Sequence, residues 1–503
     1  TDLTFGLVAY SHSFNSADIS TEVLLGENSD QLWTTNFNDI DVDYKSKMSL
    51  GWGNIISALR WNHVFAPKLF GNLTITYSRF NFLTKLSNEE IYSPIDGSPD
   101  TSAYSVAYDS GIYDWSAKLD FDYNFNNNHK IKYGVNATYH TFHPGETNIF
   151  FKYNSFQIDT TFGGGDLNSL EFAAYLEDDV RIGKRIKINL GGRLSAFKVR
   201  DTMYFSPEPR ISGRIMIKDN WSIKASYAVM QQYLHFLTNN TVGMPTDLWL
   251  PATDKVLPQK SIQYAIGTSF GVTDKITIVL EGFYKEMDNL VELDEGESIF
   301  GDFTSSESVS NSWETRVVQG EGWAYGGEIL VKKDVGQFTG WIGYTLSWSL
   351  RKFPAISFGQ IFPYRYDRRH DISVVGLYKL NDSWSFGATF VYGSGNPVTL
   401  SQVNILSLNS SVANYDEGDN TIEYFGKRNN YRLPSYHRLD ISANWSKDVK
   451  WGKRTWSFGV YNAYNHLNPF FVEINKYTED NIPTLIIYSI FPIMPSFSYN
   501  IKF

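Results

Sequence analysis

The chain of 503 residues contains no cysteine. That absence excludes disulfides, thiolate metal sites and cysteine nucleophiles. No run of about 18 apolar residues occurs, so no membrane-spanning helix is expected. The mean hydropathy of −0.29 would suggest a water-soluble protein. Strands of a membrane barrel escape that test, because half of their residues face a wet interior. Positive charge is in deficit: 44 Lys and Arg stand against 54 Asp and Glu, a net charge of −10. This argues against a nucleic-acid partner. Thr1 is not an initiator Met and no charged and apolar leader follows it, so the expected form is a mature, trimmed or partial chain.

Catalytic patterns are also missing. Gly163-Gly164-Gly165 lacks the Lys-Ser/Thr that completes a phosphate loop. Gly393-Ser394-Gly395 is out of register for a nucleophile elbow. His140 and His143 have no third ligand at metal spacing, and strand neighbours three apart face opposite ways. No enzymatic activity, cofactor or metal is expected.

Aromatic residues are abundant, at 16% with 32 Tyr and 35 Phe. The C-terminus shows how they are used. Phe497, Tyr499, Ile501 and Phe503 alternate with Ser498, Asn500 and Lys502, placing an aromatic row on one face of a terminal strand. A barrel in an outer membrane has this form, with one face to lipid and the other to water. The row also resembles the C-terminal signal read by the barrel-assembly machinery.

The same alternation runs through the chain. Tyr113, Trp115, Ala117, Leu119, Phe121 and Tyr123 oppose Asp114, Ser116, Lys118, Asp120 and Asp122. Trp384, Phe386, Ala388, Phe390 and Tyr392 oppose Ser385, Gly387, Thr389, Val391 and Gly393. Short turns of Gly, Asn, Asp and Pro chemistry, such as Ala66-Pro67-Lys68, Gly183-Lys184 and Thr273-Asp274-Lys275, suit tight hairpins. They alternate with polar loops at 14–46, 88–109, 144–168, 235–258, 293–320, 352–362 and 400–432. Short turns at one rim and long loops at the other predict an all-β, antiparallel, up-and-down transmembrane β-barrel. The count is about 18 strands, from a first strand near 3–13 to a last near 485–503, in one domain over 1–503. A propeller would need a blade repeat, which is absent. A sandwich would not impose strict alternation of short and long connections.

An ordered set of segments resembles the barrel of Bacteroidota-type TonB-dependent outer-membrane transporters. It includes Trp52-Gly53-Asn54, Leu59-Arg60-Trp61-Asn62-His63, Tyr175-Leu176-Glu177-Asp178-Asp179, Pro209-Arg210, Gly322 to Gly327 and Tyr366-Asp367-Arg368-Arg369-His370-Asp371. Tyr392-Gly393-Ser394-Gly395-Asn396-Pro397, His437-Arg438-Leu439-Asp440 and Tyr461 to Pro469 complete it. The resemblance implies a barrel of about 22 strands around a plug domain. It also implies TonB as the energy source and uptake of a scarce solute of undetermined class: siderophore, vitamin, glycan or peptide. No plug precedes the first strand here, and strand parity makes that strand the fifth of the family's set. The expectation is therefore that the plug and four strands lie outside this sequence; an independent barrel of about 18 strands remains open. Outer-membrane lipid is the implied surrounding, and a surface lipoprotein a further candidate partner. A passive porin or a structural barrel of an outer-membrane complex is the alternative.

Candidate contacts for ligand or plug are the inward charges Lys118, Asp120, Asp122, Lys132, Lys187, Arg193, Glu281 and Lys285, together with Arg369. Such charges also serve simply to hydrate a wet wall. Asp367 to Asp371 reads as a strand start with a pinned charge network at the outer rim, Asp367, Arg369 and Asp371 sharing one face. Loop aromatics Trp33, Tyr92, Trp249, Phe300, Phe303 and Tyr424 are candidates for stacking on a ligand.

Overall fold

The structure is a computed structural model describing residues 2–15, 19–22, 40–94, 100–153, 155–163, 165–237, 248–297, 313–400, 403–406, 421–424, 426–450, 452–475, 484–489 and 491–502. Phe503, the last residue of the C-terminal row, lies outside them. The described residues form one antiparallel sheet of 21 strands and four small hairpins. Three members of the sheet, Ile19–Glu22, Phe156–Gly163 and Phe362–Pro363, are short additions at the rim.

The remaining 18 strands make the wall. They are β1 (Asp2–Asn15), β2 (Ile40–Ala66), β3 (Leu69–Pro94), β4 (Asp100–Asn124), β5 (His129–Tyr153) and β6 (Leu167–Ile182). Next come β7 (Ile186–Val199), β8 (Thr202–Lys218), β9 (Trp221–Gln232), β10 (Gln259–Thr273), β11 (Ile276–Leu293) and β12 (Val317–Lys333). The last are β13 (Phe338–Lys352), β14 (His370–Lys379), β15 (Trp384–Gly393), β16 (Tyr436–Val449), β17 (Gly452–Tyr461) and β18 (Met494–Lys502). Each pairs with its neighbour in sequence. Among the described residues β1 pairs only with β2 and β18 only with β17, and the wall is not closed.

Local chemistry explains the tight connections. The Asn126 side-chain oxygen accepts from the backbone N–H groups of Asn128 and His129 at 2.8 and 2.9 Å. Asn381 does the same for Ser383 and Trp384 at 2.9 and 2.8 Å. Gly183 takes a positive φ of 61°, open to glycine without a Cβ penalty.

The outward face is apolar. Trp115, Val135, Leu176, Leu194, Phe205 and Ile266 are all exposed there. Aromatic ladders cross it. Tyr227, Tyr264, Tyr284, Tyr325 and Trp348 stand opposite one another on β9 to β13. Trp384, Trp445, Trp456 and Tyr499 do so on β15 to β18. Phe497, Tyr499 and Ile501 of the C-terminal row are exposed on this face. Rings of this kind, left uncovered by protein, suit a lipid boundary.

Several loop expectations change. Residues 88–94 and 100–109 continue β3 and β4, and 144–153 continues β5. Their polar composition suits a loop; it equally suits strands that rise above the membrane with both faces wet. The alternation of short and long connections fails between β7 and β8, which are joined at the loop-side rim by Arg200 and Asp201 alone, Arg200 with φ 49°. The C-terminal strand begins at Met494 rather than near 485, because Thr484–Tyr488 pairs with Phe471–Asn475 in a separate hairpin.

Candidate functional site

The inner face of the wall carries charges that pair within strands and across neighbouring ones. Lys118 lies 3.2 Å from Asp120, which also accepts a 2.6 Å hydrogen bond from the Tyr175 hydroxyl. Asp122 meets Lys130 at 3.5 Å, and Lys187 meets Asp179 at 3.3 Å. Glu281 holds Lys224 at 2.5 Å. Lys285 shares the inner face of β11 with Glu281 and stands opposite Gln263 and Ala324. Towards the short-turn rim a groove of about 900 Å³ gathers Lys132, Arg181, Lys187, Arg214 and Lys224 against only Asp179 and Glu281. The groove is net positive although the whole chain is negative.

Higher on the same face, a buried polar belt crosses β4 to β9. Asp114 binds His140 Nδ1 at 2.7 Å, and His140 Nε2 lies 3.8 Å from Glu171. Glu171 accepts from Arg193 at 2.9 Å, and Arg193 reaches Glu208 at 3.8 Å. Ser195 donates to Glu208 at 2.6 Å and lies 2.8 Å from the Tyr233 hydroxyl. His143 engages a different pair, Asp166 and Glu146 at 3.1 and 3.8 Å, so the two histidines do not converge.

The belt is buried because the outer mouth is covered. The hairpin of Leu234–Leu237 and Leu248–Pro251 folds across it. Leu237, Leu248 and Leu250 pack in one cluster with Phe82 of β3, Tyr108 of β4, and Val291 and Leu293 of β11. Phe197 stacks on Tyr233 at 4.8 Å beside Val199 and Ala252. Buried acids tie further loops to the rim. Glu314 holds Arg200 at 2.8 Å, and Glu292 holds Arg351 at 2.6 Å and Arg428 at 3.7 Å. Asp367 holds Arg432 at 2.6 Å and Arg369 at 3.4 Å, and accepts from the Ser349 N–H at 2.7 Å.

A wall with a paired polar interior, an aromatic exterior and a loop-covered mouth is a receptor barrel in outline, and sequence and structure comparisons decide the family. Residues 1–463 match the family described as TonB dependent receptor-like, beta-barrel. The chain belongs to that family. No curated protein matches the sequence. Among solved structures, the ferripyoverdine receptor of the outer membrane of Pseudomonas aeruginosa is similar, with 11% identity and a TM-score of 0.53 over 98% of this chain and 71% of that one. The FrpB iron transporter from Neisseria meningitidis gives 11% and 0.51 over 92% and 77%. The copper transporter OprC gives 10% and 0.51 over 92% and 76%. At such identities the likeness is one of fold. Family membership makes this chain an outer-membrane barrel of TonB-dependent transport, in a class of receptors and transporters rather than enzymes.

Within this receptor barrel Arg369 is misplaced by the sequence reading. Residues 364–369 are turn and not strand, so alternation does not apply to them. The Arg369 guanidinium lies over the outward ring of Trp348 at 4.5 Å, and Arg368, not Arg369, shares a side with Asp371 at 3.5 Å. Of the loop aromatics, Trp249 packs on Phe236 at 4.8 Å in the mouth hairpin. Trp33, Phe300 and Phe303, and the side chains of Tyr92 and Tyr424, lie outside the described residues. Sequence reading missed Glu171, Glu208, Glu292 and Glu314. Their signal was weak: isolated acids near strand ends, buried only once the loops fold over the rim.

Proposed function

We propose that this chain is the wall and outer mouth of a TonB-energised importer that takes a scarce solute across the outer membrane, with residues 1–503 forming one barrel domain. The reading rests above all on the mouth: the paired segments Leu234–Leu237 and Leu248–Pro251 pack against residues of strands as far apart as β3 and β11. A passive pore works best with a clear mouth, whereas a receptor needs a surface there to hold solute until energy is supplied. The solute class is open among siderophore, vitamin, glycan and peptide. Two unpaired wall edges favour closure by further strands, towards about 22 in all, around a plug supplied in cis or in trans. A plug would dock against the inner charges Lys118, Asp120, Asp122, Lys132, Lys187, Arg193, Glu281 and Lys285. The quoted motifs favour a Bacteroidota source. The barrel-assembly machinery would read the C-terminal row, and a surface lipoprotein is a candidate lid.

The test is uptake in the native host. Growth on the limiting solute should require both this gene and an intact TonB complex. Uptake that persists at full rate without TonB would mean a passive porin.

A further inference from the structure

The charge cluster at 365–371 does not balance. Asp367 is fully occupied by Arg432, Arg369 and the Ser349 N–H. Asp371 reaches only Arg368, at 3.5 Å with both side chains well exposed. Four guanidiniums, counting Arg432, therefore stand against two carboxylates among the described residues. The surplus collects in one place. Arg365 and Arg368 line a cavity of about 60 Å³ with Ser394, Gly395, Asn396 and Tyr436. Nη1 of Arg365, one of the lining side chains, is buried without a hydrogen-bond partner. A buried guanidinium N–H left unpaired is costly, and an anion is the group that removes the cost.

The backbone around the cavity is built tightly. A Cβ at position 395 would collide with the Leu433 carbonyl oxygen, so glycine is required where the two loops meet. Arg432 Nη1 donates to the Gly395 and Asp367 carbonyls at 2.8 and 2.6 Å, fixing the same two loops. Arg368 lies over the inward face of position 393, where a Cβ would come within 3.2 Å of its Nη1. The cavity thus belongs to the inner side of the outer rim, beside the path of an incoming solute. Space for a water needs on the order of 10–15 Å³, so this cavity has room for one carboxylate or phosphate group and not for a whole solute.

We propose that Arg365 and Arg368 form a subsite for the carboxylate or phosphate of the solute, the rest of which lies in the mouth. The proposal deepens the importer reading and rests on it. The probe is inorganic phosphate, measured by equilibrium dialysis at low ionic strength on the full chain folded in detergent. Saturable binding of one equivalent is expected. Arg365→Gln and Arg368→Gln should each weaken it tenfold or more. Asp371→Asn should tighten it severalfold by releasing Arg368. Heat-modifiable gel migration reports folding; if the Gln variants do not fold, the direction of the Asp371→Asn effect decides. Binding that does not saturate, or that ignores these substitutions, overturns the subsite. A parallel arm adds lipid A in vesicles: displacement of phosphate with the same arginine dependence would make a lipid headgroup the occupant and overturn the solute assignment. TonB dependence of uptake is measured separately on the unaltered chain, so the importer reading stands or falls without this result.

Discussion

Glu292, wholly buried, accepts a 2.6 Å hydrogen bond from Arg351 Nη1, and the Arg351 guanidinium lies 3.5 Å from the centre of the Tyr364 ring. The pair joins β11 to β13 at the outer rim, and Arg428 approaches the same carboxylate at 3.7 Å from a loop distant in sequence. Removing one partner of a buried pair strands the other charge, at a cost of about 3–5 kcal/mol. Arg351→Met should therefore destabilise the fold by about 3 kcal/mol in guanidinium unfolding, at the low end because Arg428 remains. The double change Glu292→Gln with Arg351→Met should cost less than the sum of the two single changes, with part of the loss remaining because Arg428 then lacks that carboxylate. An additive double mutant would mean that the two side chains are not coupled.

His235 gives the mouth hairpin a pH dependence. The Gln259 amide donates to its Nδ1 at 2.9 Å, and its Nε2 is buried with no partner. Burial pushes the imidazole down to about 4. Protons then bind the unfolded hairpin more readily than the folded one, so stability is complete above about 6.5, falls as pH drops, and stops falling below about 4. The full loss would be about 3 kcal/mol. Protection factors of residues 234–237 and 248–251, corrected for the base-catalysed intrinsic rate, should fall between pH 7 and pH 4.5, and His235→Leu should remove that fall. Equal protection at both values would show that the ring is not buried in solution.

The two faces of the wall should respond differently to the same charge. Leu194 on β7 is outward and 56% exposed, facing Ala174 and Pro207 across the ladder. Arg at a lipid-facing position costs about 2–4 kcal/mol at the membrane midplane. Leu194→Arg should lower stability in lipid vesicles by about that amount, while Ser226→Lys, on the inner face beside the basic groove, should cost less than about 1 kcal/mol. Equal penalties would contradict a lipid boundary on the outward face.

Much of this architecture is written in the order of residues, because a wall between lipid and water forces a period of two. Lys187 and Glu281 can be assigned a side from their neighbours alone. Their partners cannot. Asp179 meets Lys187 only because a Gly183 turn of fixed length sets the register. The rim is harder still. Arg369 follows a strand-like pattern on paper, yet Asp367 draws Arg432 from a loop far along the chain and turns the segment out of strand geometry. Polar loops carry no period, so nothing local announces that Leu237, Leu248 and Leu250 would fold across the mouth to meet Phe82. Glu292 and Glu314 look like ordinary surface acids until that folding buries them.

The C-terminal row makes a claim about assembly that is separable from stability. Phe497 packs beside Trp456 and Phe458 at 5.3 and 5.4 Å, and Tyr499 beside Trp456 at 4.4 Å, all on the outward face of β17 and β18. Each ring remains partly exposed, so neither is a core residue whose loss opens a cavity. If the row is chiefly a mark read by the assembly machinery, the double change Phe497→Ser with Tyr499→Ser should cut the folded, heat-modifiable fraction severalfold in cells. Refolding of the purified variant into thin lipid vesicles, where no machinery acts, should proceed within about twofold of the unaltered rate, since edge aromatic contacts contribute only about 0.5–1.5 kcal/mol. A matching defect in both settings would assign the row to wall packing alone, and no defect in cells would remove its role as a signal.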